Sequence, residues 1–151
     1  MTASGPNLSR RSVVLVTALA TATLAMVPAS SAEPPVASPT QARVYFQSPQ
    51  NHARVPRHFL VRIGLSGMGV APAGTHMPDT GHHHILIDTD IGPADQPIVA
   101  DLNHVHLGNG QTETMLTLTP GRHTLQLLLG DYMHRPHNPP VVSQKISITV
   151  Y

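Results

Sequence analysis

Residues 81–88, Gly-His-His-His-Ile-Leu-Ile-Asp, constrain the fold more than any other stretch. The aliphatic half, opened by Gly81 and closed by Asp88, reads as a buried strand. Side chains alternate across a strand, so His82 and His84 share a face with Leu86, and His83 shares the other with Ile85 and Ile87. Imidazoles carried into a core strand need partners, because a buried polar ring left unpaired is costly. The chain holds 11 histidines in 151 residues, so the partners can come from other histidines.

The other segments read as short strands separated by turns. Arg43–Gln47 is the first. His58–Leu65 alternates Phe59, Val61, Ile63 and Leu65 against His58 and Arg62, a half-buried pattern. After Gly81–Asp88, Asn103–Gly108 places His104 and His106 on one face and Val105 and Leu107 on the other. Asn109-Gly110 signals a hairpin into Gln111–Thr119. Pro120-Gly121 turns into Arg122–Gly130, and Val142–Val150 is last, with Val142, Gln144, Ile146, Ile148 and Val150 on one side. No mature helix and no internal repeat is evident. With 15 Pro and 11 Gly punctuating the chain, the pattern predicts an all-β fold, an immunoglobulin-like β-sandwich of about seven strands spanning 43–151. Long loops at 66–81, 89–97 and 131–140 fall between strands, where binding residues tend to gather.

Residues 1–32 form a basic stretch around Arg10 and Arg11, a 15-residue apolar run from Val13 to Val27, and the small residues Ser30-Ser31-Ala32. This is the plan of a secretory signal peptide cut before Glu33, too short in its apolar run for a bilayer span. Its Ser-Arg-Arg-Ser order is similar to a twin-arginine signal, with Val13 where Phe usually stands. Glu33–Ala42 is a Pro-rich linker, expected to be extended and mobile. The processed chain keeps seven Lys and Arg against eight acids, a net charge of −1. With no basic patch and 3% aromatics, nucleic acid is not an expected partner. The absence of Cys removes disulfides, thiolate ligands and cysteine nucleophiles. The expected location is periplasmic or extracellular, with no transmembrane anchor after processing.

Gly81-His82-His83-His84, the run Asn103 to Glu113, Pro120 to Leu127 and His134 to Val141 resemble a bacterial secreted family, "domain of unknown function" 4399. The resemblance covers about Phe59 to Val150. It implies a shared exported domain and a shared histidine framework, and supplies no mechanism.

Neutral imidazole is a common ligand for zinc and copper. His-x-His on a strand places two rings on one face, and the chain has this pattern at His82/His84 and at His104/His106. His134 and His137, on a Pro-rich loop, are placed to close over one edge. These six are the candidate ligands for copper or zinc, four sufficing for one ion. Met77 and Met133, each next to a histidine, are candidate soft ligands. Asp88 and Asp131 are candidate outer partners that fix a ligand's tautomer, against a default role in capping turns. The scarcity of carboxylates disfavours calcium and magnesium. His83 and His123 read as core residues, His52 and His58 as exposed. The expected role is a metal carrier or accessory protein with an extracytoplasmic protein partner. Gly64-Leu65-Ser66-Gly67-Met68 departs from the nucleophile elbow at its last position, and no phosphate-binding glycine loop or His-Glu-x-x-His motif occurs, so no enzyme is expected, save a metal-dependent hydrolase or oxidase if the site keeps an open coordination position. The rival reading is a metal-free interaction module whose histidines form a hydrogen-bonded network.

Overall fold

Period-two alternation of Val, Ile and Leu produces nine strands in the computed structural model, which describes residues 1–2 and 33–151. The expected signal peptide falls almost wholly at residues 3–32 and lies outside the described residues. The strands are β1 (Arg43–Ser48), β2 (Arg54–Val55), β3 (His58–Ser66), β4 (Gly69–Val70), β5 (Thr80–Ile87), β6 (His104–Leu107), β7 (Glu113–Thr117), β8 (Gly121–Gly130) and β9 (Ile146–Val150). Seven of them are longer than two residues. No helix occurs among the described residues, and so none there is long and apolar enough to cross a membrane.

The strands make two sheets. One has the order β1-β3-β7; the other runs β2-β9-β8-β5-β4, with β6 also paired to β5. They pack as a sandwich. Val44, Phe59, Val61, Ile63 and Leu116 of the first sheet meet Ile85, Ile87, Leu107, Leu125, Leu127, Leu129, Ile148 and Val150 of the second. This apolar burial is the main stabilising term of such a fold.

β5 is the central strand of the larger sheet, antiparallel to β6 on one side and β8 on the other. Its odd-numbered residues Ile85 and Ile87 enter the core. Its even-numbered ones, His82, His84 and Leu86, stand on the opposite, outer face. Register sets their neighbours: His84 lies across from His106 on β6 and from Leu128 on β8, and His82 from Gly130. Loops 88–103 and 131–141 cover this outer face, so Leu86 and Leu128 are only 1% exposed.

Two expectations change. The last strand starts at Ile146, not Val142, because one extra residue interrupts its pairing: Leu125 is opposite Ile146, but Leu128 is opposite Val142. The slip, a bulge, turns Val141 and Ser143 inward in place of Val142 and Gln144. The Pro-rich stretch is also less free than its composition suggests. Asn138 N donates to Val36 O (2.9 Å) and Ser38 N to Asn138 O (3.1 Å). Tyr132 donates to Glu33 Oε2 (2.8 Å), and Arg135 binds the Glu33 carbonyl. Residues 33–38 thus form a strap along the 131–140 loop.

Candidate metal centre

Two of the three strand-borne imidazoles come from β5 and one from β6. One ring nitrogen from each of His82, His84 and His106 lies within 4.8 Å of the other two. Ring centroids are 4.8 Å apart for His82 and His84, and 5.0 Å for His106 from each. A fourth ring arrives from the 131–135 turn. The Asp131 carboxylate accepts from the backbone N–H of Met133 (2.8 Å) and Arg135 (2.9 Å). His134 itself takes a left-handed φ of 62°, which turns its side chain back over the sheet. Its centroid is 4.5 Å from His106 and 4.8 Å from His82, and its Nε2 hydrogen-bonds His106 Nε2 at 2.9 Å.

Two glycines make room for the rings. A Cβ on Gly130 would sit 2.8 Å from His84 Cε1 and 3.3 Å from His82 Cε1, and one on Gly108 would sit 2.3 Å from His106 Cε1. The histidine pattern marks neither glycine; their signal in the sequence is a glycine at the end of each neighbouring strand, where the missing side chain permits a close approach.

Burial sets the electrostatics. It lowers the His82 pKa to about 4, with the nearby His134 and His106 pushing the same way and Asp131 opposing. It lowers His84 to about 2, again helped by its imidazole neighbours. His106 moves down for the same two reasons, burial and His134. The rings are therefore neutral at neutral pH, the state that ligates metal. Both nitrogens of His82 and Nδ1 of His84 are buried without a hydrogen-bond partner. Orphaned groups of this kind cost stability, and a cation among them would satisfy one nitrogen per ring. The donor set, the orphaned atoms and the glycine cradle all suit a nitrogen-coordinated transition metal.

A match to the family model described as "Domain of unknown function (DUF4399)" runs from residue 61 to 151. The chain belongs to this family. No curated protein and no solved structure matches the chain. The DUF4399 match takes in all four clustered histidines and both glycines, while the strap at 33–38 lies outside it.

Within the DUF4399 domain, the remaining candidates stand elsewhere. His104 falls opposite Leu86, two pairs farther along β6, and its Nδ1–H donates to Asp101 Oδ1 at 2.7 Å. His137 is fully buried but packs toward Gly81, with both nitrogens unpaired. Burial lowers its pKa, against the nearby Asp131 carboxylate and the Val36 carbonyl, which favour its protonated form. His83 faces the core, its pKa held at about 4 by burial, as the alternation predicts. Met77 is 55% exposed, and Met133 Sδ accepts from Arg135 Nη2 at 3.4 Å; neither thioether joins the rings. Asp88 keeps its capping role. It accepts from Thr124 N (2.7 Å) and pairs with His123 Nδ1 (2.6 Å), far from any clustered ring. Asp131 serves the loop backbone and Arg135 (3.4 Å) rather than an imidazole N–H.

Proposed function

We propose that this domain binds one copper or zinc ion through His82, His84 and His106, with His134 as the fourth ligand, and serves as a carrier or accessory protein. The observation that carries this reading is the meeting of imidazoles from β5 and β6, whose ring nitrogens lie within 4.8 Å of one another, with the His134 ring beside His82 and His106 and 6.2 Å from His84. The rival reading, a metal-free hydrogen-bonded network, has one imidazole–imidazole bond in its support, His134 to His106, and leaves three nitrogens of His82 and His84 without a partner, as it does both nitrogens of His83 and His137. An all-nitrogen set without thioether or thiolate favours Cu(II) or Zn(II) over Cu(I).

The same reading takes residues 1–32 as a secretory signal peptide and the sandwich as immunoglobulin-like in general form. In support, the contact unit holding the site begins at Glu33, the residue after the expected cleavage point. Its place of work is then periplasmic or extracellular. The half-exposed His106–His134 side gives an ion a way in and out, which suits exchange with a protein partner outside the cytoplasm.

Calorimetric titration of chelator-treated protein with Cu(II) and Zn(II) tests the reading. The expected result is one ion per chain bound more tightly than micromolar, about −8 kcal/mol. His84→Ala should weaken it by at least roughly tenfold, the loss of about 1.4 kcal/mol. His104→Ala and His137→Ala should change it little. No binding in the micromolar range, or equal losses for all three variants, sinks the assignment.

A further inference from the structure

His104 sits in the pattern that marks metal ligands, yet the fold gives it a different setting. It lines a cavity of about 250 Å³ on the outer face of the larger sheet. Leu86, Leu128 and His104 form the floor; Pro93 and Ile98 of the 88–103 loop and Pro136 form the walls. The loop is pinned over the floor by Ile98 N, which donates to His134 O at 2.6 Å. An apolar cavity of about 150 Å³ already takes up benzene, so this one has room for a substituted ring.

The polar groups of the lining are few. Apart from Gln96, only His104 presents a side-chain hydrogen-bonding atom. Its ring is oriented by a short chain of contacts. Nδ1–H donates to Asp101 Oδ1 (2.7 Å), and the same oxygen accepts from Asn103 N (2.8 Å). With the proton on Nδ1, Nε2 is left as an acceptor without a protein partner. No Lys or Arg lines the space, and the Asp101 carboxylate stands behind the ring, so an anionic occupant is disfavoured. An apolar pocket with one fixed polar group is the usual form of a small-molecule site.

We propose that this cavity is a binding site for a small neutral molecule with a one-ring apolar body and a single hydroxyl, a phenol-like compound, whose hydroxyl donates to His104 Nε2. Leu128 in its floor is directly across from His84, so the occupant lies beside the imidazole cluster. The site does not depend on the metal reading and is tested on metal-free protein.

The probe is 4-methylphenol, with toluene as the control that keeps the shape and lacks the hydroxyl. Titration of chelator-treated, ¹⁵N-labelled protein is followed by amide shifts. Saturable shifts are expected at Leu86, Ile98 and Leu128, with 4-methylphenol bound roughly tenfold more tightly than toluene, the contribution of about one hydrogen bond. Leu128→Phe should fill the space and abolish binding of both. His104→Leu should remove the preference and keep toluene binding. Should that variant not fold, Asp101→Ala tests the same contact at an exposed position, because without the carboxylate nothing holds the ring proton on Nδ1 and it is free to move to Nε2. It should shrink the preference. Shifts that never saturate, shifts confined to other surfaces, equal affinity for the two probes, or a preference undiminished in Asp101→Ala would each overturn the assignment.

Discussion

At the scale of single residues, the cluster depends on atoms that are absent as much as on those present. Gly108→Ala should leave the melting temperature nearly unchanged, because the His106 ring is exposed and can swing aside, but should weaken metal binding by roughly tenfold or more, about 1.4 kcal/mol per decade. Gly130→Ala meets two buried rings instead, so both stability and affinity should fall; parallel thermal melts and metal titrations separate the two cases. Alternation along β5 made His82 and His84 legible in the sequence as one face and His83 as the other. It could not say which histidine of β6 would join them. That choice depends on the register between β5 and β6, and the 88–103 loop between them leaves the register open to any offset. Once His84 is opposite His106, His104 lies beside Leu86, and Asp101 three residues before it captures the ring. Only adjacency to histidine marks Met77 and Met133 in the sequence, and on a loop adjacency does not fix direction.

Among elements, the 131–140 loop and the strap at 33–38 work as a pair. Four hydrogen bonds described above join them, and they flank His134. Deleting residues 33–38 should loosen His134 and weaken metal binding by roughly tenfold, about 1.4 kcal/mol, without abolishing it. In the deleted form, His134→Ala should cost little more, because the ring it removes is already displaced. Additive losses in that double comparison would show that the strap acts elsewhere. The strap was hidden in the sequence because proline-rich composition reports backbone stiffness and says nothing of a docking partner a hundred residues away. The bulge before β9 was hidden for a related reason. Val142 to Val150 keeps an alternating pattern through the slip, and only pairing with β8 reveals the extra residue.

The molecule as a whole should be acid-sensitive while metal-free. His82 and His83 take a proton in the folded state only near pH 4, and His84 only near pH 2, whereas the unfolded rings protonate near ~6.5. Below that value the unfolded chain binds more protons, so stability falls with pH, by at most about 1.4 kcal/mol per ring per pH unit until the folded-state value is reached. His123, bonded to Asp88, acts in the opposite sense. Partial burial resists the charge on His123, but its bonds to Asp88 and Thr119 prevail and raise its pKa, adding stability below pH ~6.5 that disappears as pH rises through the folded value. Three rings outweigh one, so urea midpoints of chelator-treated protein should drop steadily from about pH 6.5 to 4. Bound Zn(II) should shift that drop to lower pH, since ligated nitrogens do not take protons. A midpoint flat across this range would mean that the rings are hydrated. The all-β architecture, by contrast, was open to sequence reading, because period-two burial is imposed locally by the pleat. That same pleat makes β5 a shared wall, with Ile85 and Ile87 beside His83 toward the core and His82 and His84 beside Leu86 toward the other side. A single inserted or deleted residue within it would exchange the two surfaces, carrying aliphatic groups among the clustered histidines and His82 and His84 into the core. Lineages descended from this chain can therefore vary its loops in length, but the span from Gly81 to Ile87 admits no change of count.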